Sequence, residues 1–267
     1  MDRSWVWFVG LACGSGAGLL LGCWLGRGSR RQAWLTLGGA LLLLLVWVAL
    51  MLHPAAAVKA IPVRWYSYME GPGAVPFFMV LVGAAWALSR RPRQRWVVAL
   101  GLVVGVVQFV SGGWWMLQAT PAHAFGRSVR AVPVFQSQTY SCVPAACATA
   151  LHQLGVPASE QEMADLTHTR PDRGATLVRA MDGLTQRLDG YAWKPLVLEP
   201  DIGDLHWLAA PVVTPLRVGH GLMHMVVLQR VDPQGVWVAD PLEGLACMQR
   251  AEFAAQYSGE VIVFVRR

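Results

Sequence analysis

The sequence predicts a multi-pass α-helical membrane domain followed by an α+β domain. Three observations lead there. Four apolar runs crowd residues 1–118. The charge divides unevenly: residues 1–130 hold 12 Lys/Arg against 2 Asp/Glu (+10), and residues 131–267 hold 10 against 14 (−4). From Val132 onward helical patterns come first and short apolar strand patterns follow, which is the order of an α+β domain.

The bulk composition supports the division. A hydrophobic fraction of 55% with 14% charged residues is too apolar for an ordinary soluble chain. The arginines stand in short clusters between apolar runs, as membrane-flanking charges do, so the net charge of +6 is no footprint for nucleic acid. Five cysteines are an odd number with no CxxC pair, which argues against a disulfide framework or a zinc knuckle.

The predicted spans are residues 5–25, 34–52, 74–88 and 96–117. The first does not read as a convincing signal peptide, because its basic start is weak and no clear small-residue cleavage site follows. Gly10, Gly14, Gly18, Gly22 and Gly26 recur every fourth residue, giving one helix face without side chains where another helix, in this domain or a second copy, can approach. Residues 53–73, with His53, Pro54, Pro62 and Gly71-Pro72-Gly73, are expected to be a loop. The third span has 15 residues, about 22 Å of helix against the roughly 30 Å hydrocarbon core, so it must borrow length, tilt little or be re-entrant.

Two short loops carry Arg27, Arg30 and Arg31, and Arg90, Arg91, Arg93 and Arg95. The positive-inside rule puts them in the cytoplasm, and four spans then put both termini outside. The expected location is the cell (inner) membrane, multi-pass, with the C-terminal domain on the extracytoplasmic face.

Residues 119–131 read as a linker and 132–267 as the second domain. Helices are expected at 142–154, 159–166 (Ser159 as N-cap, Glu162 three residues on), 176–188 and 251–257. Strands are expected at 191–198, 212–216, 223–231, 236–239 and 261–265, with a turn at Asp232–Gly235.

Cys142 stands where a helix begins, with Pro144 in its first turn, the one part of a helix that tolerates proline. Unpaired N–H groups and the helix dipole there favour a thiolate. By itself Cys142 fits a nucleophile or an ordinary buried cysteine equally. His224 opens one predicted strand and Asp240 closes the next, so a tight turn can bring them together. The carboxylate can then orient the imidazole toward the thiol. Gln136, six residues before Cys142, could donate to an oxyanion together with the Cys142 N–H, or be a loop residue. Cys147 lies about 140° around the helix from Cys142, a poor disulfide geometry. His220 and His224 lack the Glu of a helical zinc motif, so neither a metal nor a cofactor is expected.

Taken together, Gln136-x5-Cys142-x-Pro144-Ala145-Ala146, His224-Met-Val-Val-Leu228, Asp240-Pro-x2-Gly244 and Glu252-Phe253 resemble the bacteriocin-processing double-glycine peptidases over residues 132–267. These are papain-like cysteine peptidases often fused to ABC exporters. The resemblance implies Cys142 as nucleophile, His224 as general base and then acid, Asp240 as its orienter and Gln136 as oxyanion donor. It implies cleavage of a leader peptide after Gly-Gly. Val143 departs from the glycine common after the family's cysteine. No G-x-x-x-x-G-K-[ST] stretch occurs, so an exporter would be a separate partner. The expected partners are a peptide or protein substrate, membrane lipid and such an exporter, and no nucleic acid. Two other readings stay open: a catalytically silent domain that binds a leader or partner peptide, and a cysteine acyltransferase or amidase.

Overall fold

The computed structural model describes residues 4–118, 125–128, 132–219 and 221–267. The chain divides into two units, Met1–Ala119 and Thr120–Arg267. Most of the predicted linker, with His123 and His220, lies outside the described residues.

The first unit is helical throughout. Helices α1 (Ser4–Gly26) and α2 (Arg30–Leu52) take the first two apolar runs. Ser29 caps α2 by accepting the Gln32 N–H at 3.2 Å, which draws Arg30 and Arg31 into its first turn. Residues 53–73 differ from the expected loop: they form α3 (Pro54–Ala60), α4 (Val63–Met69) and a 3-10 turn from Pro72. The prolines sit just before or at the first position of these short helices, where a missing N–H costs nothing. They start helices here and do not break them.

The third apolar run is α5 (Val75–Leu88) and the fourth is α6 (Pro92–Gly113), prolonged by a 3-10 turn to Leu117. α1, α2 and the prolonged α6 are long and apolar enough to cross a membrane; α5 passes that test only jointly with α4, across an 87° bend.

Three of the five stripe glycines, Gly18, Gly22 and Gly26, have a partner. A Cβ on Gly22 would lie 2.2 Å from Val80 O, and one on Gly83 would lie 2.2 Å from Leu19 O, whereas Gly10 and Gly14 face open space. α1 and α5 therefore pack backbone to backbone along Gly18–Gly26, as small residues allow inside a membrane.

The second unit begins with α7 (Cys142–Gln153), α8 (Glu160–Leu166) and α9 (Leu177–Arg187). Ser159 and Thr176 cap the latter two by accepting the N–H of Glu162 and Arg179. Strands β1 (Trp193–Leu198), β2 (Val212–Arg217), β3 (Met223–Asp232), β4 (Gly235–Asp240), β5 (Gly244–Met248) and β6 (Val261–Arg266) form one sheet, in the order β1-β6-β2-β3-β4-β5. Every pairing is antiparallel. Helix α10 (Arg250–Gln256) precedes β6.

β5 is absent from the expected strands. It is a short edge strand with Leu245 and Cys247 exposed, so it carries no alternation to read. The 3-10 segment Ile202–Trp207 was equally unmarked.

One core gathers Leu205, Val212, Leu216, Val226, Leu228, Val236, Val238 and Phe253. Each fully buried Val, Leu or Phe there contributes about 1.5–3 kcal/mol. α7 is buried from Val143 through Leu151 and packs against β3 and β2, which sets its first residue beside the start of β3.

Candidate active site

Cys142 is the first residue of α7 and is half-buried with a free thiol. The first intrahelical bond runs from the Ala145 N–H to Ser141 O, so the Cys142 N–H lies among the helix-end donors that the helix itself does not use.

His224 lies on β3, opposite Leu216 of β2. On the other side β4 pairs Ala239 with Val227. One step further Asp240 stands diagonal to His224 on the same face, within reach of a side-chain contact. His224 Nε2 bonds Asp240 Oδ1 at 2.8 Å, and the two side chains are only 12% and 16% exposed. The Leu242 N–H also donates to Asp240 Oδ1, at 2.7 Å.

Charge follows this geometry. Burial alone would lower the His224 pKa, but hydrogen bonds and charge interactions with Asp240 and Cys142 override it and raise it to about 9. Burial alone would raise Asp240; the His224 bond and charge, with the N–H groups of Leu242 and Glu243, hold it below the usual carboxylate value. With Nε2 taken by Asp240, the nitrogen left to serve Cys142 is Nδ1.

Gln136 is tied in through its backbone, whose N–H donates to Pro241 O at 2.9 Å, next to Asp240. Its side-chain Nε2 donates to Gln138 O at 2.8 Å, while Oε1 is buried without a hydrogen-bond partner. A carboxamide nitrogen carries two N–H groups, so one remains beyond the Gln138 bond. The structure thus joins His224 and Asp240 by a side-chain hydrogen bond, sets Cys142 near enough to raise the His224 pKa, and ties in Gln136 through its loop.

Sequence reasoning missed Glu160, whose fully buried carboxylate is hydrogen-bonded to that loop at Ser137 and Ser141. Ser159 and Glu162 marked the helix start, but nothing local marks a glutamate that will be buried by a segment 19 to 23 residues away.

Cys147 is buried, and burial followed by the nearby Cys142 charge pushes its thiol far up. A cavity of about 590 Å³ lies elsewhere, lined by Leu205, His206, Asp232, Val236, Arg250 and Phe253; none of the four predicted residues borders it, and the hydrogen-bonded geometry is the better guide to the chemistry. Among the described residues no group of three or more His, Cys, Asp or Glu gathers to hold a metal.

Residues 130–267 match the model of the peptidase C39 family. An uncharacterized protein of Methanothermobacter thermautotrophicus is 32% identical over 135 residues, 51% of this chain and 89% of that protein. Another from Methanothermobacter marburgensis is 35% identical over the same shares. The probable functional amyloid protease FapD of Pseudomonas aeruginosa is 28% identical over 49% of this chain and 59% of its own length. Among solved structures, the peptidase domain of Streptococcus ComA, a bi-functional ABC transporter involved in quorum sensing, aligns with TM-score 0.45 and 19% identity over 54% of this chain and 100% of that domain. A double glycine motif protease from an AMS/PCAT transporter, in complex with the leader peptide, aligns with TM-score 0.44 and 18% identity over 56% and 100%.

Proposed function

The chain belongs to the peptidase C39 family, and from that premise we propose that it is a membrane-bound cysteine endopeptidase acting through Cys142, His224, Asp240 and Gln136. The observation that carries the proposal is the position of His224, whose Nε2 bonds Asp240 Oδ1 at 2.8 Å and whose pKa is raised by Asp240 and by the neighbouring Cys142.

In this reading Cys142 and His224 work as a thiolate–imidazolium pair. The thiolate attacks the scissile carbonyl, a C–S bond forms and the carbonyl electron pair moves onto oxygen. The Gln136 carboxamide and the Cys142 N–H are the donors for that oxyanion. The tetrahedral intermediate collapses, the C–N bond breaks, and His224 gives its proton to the departing amine. A water then enters; His224 takes its proton, hydroxide attacks the thioester, and the acid product leaves with the thiolate restored. Asp240 holds the imidazole in the orientation both steps need.

The substrate is a peptide or protein presented near the bilayer, and the family resemblance favours a leader cut after Gly-Gly. The helical unit anchors the enzyme as a multi-pass membrane domain.

The test uses the full-length protein in detergent with a thiol-reactive peptide probe ending in Gly-Gly. Labelling is expected in wild type, lost in Cys142→Ala and reduced in His224→Ala. Unchanged labelling of His224→Ala would show that the imidazole does not activate the thiol.

A further inference from the structure

We propose that Glu160 is the positioning residue for the loop from Gln136 to Cys142, fixing the oxyanion donors for acyl transfer; this rests on the peptidase reading above. Glu160 is the first residue of α8 and is 0% exposed. Its carboxylate accepts four hydrogen bonds: to Oε1 from the Ser137 N–H at 2.9 Å and the Ser141 hydroxyl at 2.5 Å, and to Oε2 from the Ser137 hydroxyl and the Gly126 N–H, each at 2.7 Å. Among the described residues every partner is a neutral N–H or O–H.

A carboxylate is expensive to bury and is tolerated when its oxygens are fully hydrogen-bonded. Stability alone would be served as well by an apolar side chain in a loop that needs no fixed shape. What the carboxylate supplies is shape, because its two oxygens draw four donors from two separate segments to one point.

The constraint passes along the loop to Gln136. Ser141 Oγ, held by Glu160, accepts the Gln138 N–H at 3.1 Å. Gln138 O in turn accepts the Ser141 N–H at 3.1 Å and Gln136 Nε2 at 2.8 Å. With Gln136 Oε1 lacking a partner, the Gln138 bond is what orients the carboxamide. Where its second N–H points is therefore set by the Ser137–Ser141 turn that Glu160 holds. Cys142, whose own N–H is the other donor, follows Ser141 directly. Both donors hang from one buried carboxylate.

This role separates two reactions of the same thiol. Acyl transfer puts charge on a carbonyl oxygen and needs the loop's donors. Alkylation by iodoacetamide forms a C–S bond and expels iodide; no oxyanion forms, and the loop has nothing to do.

Wild type, Glu160→Gln, Ser141→Ala and the control Glu162→Gln, a half-buried carboxylate of the same helix that pairs with Arg187 and not with the loop, are compared in detergent. Three rates are read: hydrolysis of a fluorogenic peptide with Gly-Gly before the scissile bond, inhibition by a peptide aldehyde ending in glycinal, and iodoacetamide alkylation of Cys142 followed by mass spectrometry. Glu160→Gln turns an N–H pair toward donors. Its kcat is expected to fall about tenfold to a hundredfold with little change in KM, the scale of a misplaced catalytic group. Aldehyde inhibition should weaken in parallel, and alkylation should stay at the wild-type rate. Ser141→Ala, which leaves Glu160 in place, shows the same pattern more weakly and stands in if Glu160→Gln does not fold. Glu162→Gln changes nothing. Equal losses in hydrolysis and alkylation, or no loss in either, overturn the positioning role. If Cys142→Ala still hydrolyses the peptide, or wild type does not, it is the peptidase reading that fails, and this proposal with it.

Discussion

His224 Nε2 and Asp240 Oδ1 lie 2.8 Å apart although sixteen residues separate them. The tight turn between β3 and β4 folds those residues back, and the antiparallel register places the start of one strand diagonal to the end of the other. Asp240 is itself pinned by the Leu242 N–H. The imidazole is thus oriented from the sheet, while the thiol it meets comes from a helix packed against that sheet.

That arrangement predicts a pH signature. His224 is raised from 6.5 to about 9, so a pair that needs the imidazolium stays competent up to about pH 9 and loses activity above it. Asp240→Asn removes the carboxylate charge, and the alkaline limb of kcat/KM should move down toward pH 6.5. At neutral pH the rate should fall by about 10²–10⁴-fold, the scale of losing a triad carboxylate. An unmoved alkaline limb would assign it to another group.

Stability should follow the same groups. The raised His224 value contributes stability that is fully present below 6.5 and is lost as pH rises through about 9. The lowered Asp240 value contributes stability present above 3.8 and lost as pH falls below it. The Tm difference between wild type and Asp240→Asn is therefore expected to be largest between those limits and to shrink on both sides. Thermal melts across pH check it.

What could be read in advance depended on how local its signal was. Cys142 before Pro144, His224 at a strand start and Asp240 at a strand end each carry their chemistry within a few residues. Glu160 does not, because its meaning comes from Ser137, Ser141 and Gly126, which only folding brings to it. The region 53–73 misled because proline marks a helix start as well as a break. β5 had one neighbour strand and carries apolar residues, Leu245 and Cys247, on its exposed face, so no apolar–polar alternation set it apart. The second half of the glycine stripe was legible as packing; that α5 is its partner was not, since a small-residue face does not name what covers it.

Of the five cysteines, the three in the second unit should differ sharply in reactivity. Cys142 sits beside His224, Cys247 is an exposed thiol on β5, and Cys147 is buried. Iodoacetamide at pH 7 is expected to modify Cys142 first, Cys247 more slowly and Cys147 only on unfolding. His224→Ala should bring Cys142 to the Cys247 rate. Time-resolved peptide mass spectrometry reads all three, and rapid loss of Cys147 would contradict the buried α7.

The backbone contact between α1 and α5 makes a steric prediction. A Cβ at Gly22 would meet Val80 O at 2.2 Å, while nothing lies within 4 Å of one at Gly14. Gly22→Val must push the helices apart and is expected to cost about 1–3 kcal/mol, as overpacking does. Gly14→Val should be close to neutral in the isolated chain. Thermal stability in detergent distinguishes them, and equal effects would mean that the α1–α5 contact is not formed.

The arginines predict which side of the membrane the second unit occupies. Gly26, at the end of α1, packs on Ala84 and Ala87 near the end of α5, so the Arg27–Arg31 and Arg90–Arg95 turns share one end of the helical unit. Those turns hold seven arginines and no acidic residue. At the opposite end the Ser4 hydroxyl donates to Met116 O at 2.6 Å, which sets the start of α1 beside the end of the prolonged α6. The chain therefore leaves the helical unit at the end away from the arginines, whether or not the bent α4–α5 pair crosses as one span. With the arginine end in the cytoplasm, a reporter fused after Arg267 is expected to be active only outside. Substituting Arg90, Arg91, Arg93 and Arg95 together with Gln should weaken that bias and produce a mixed population. A reporter active only in the cytoplasm would place the peptidase unit on the inner face.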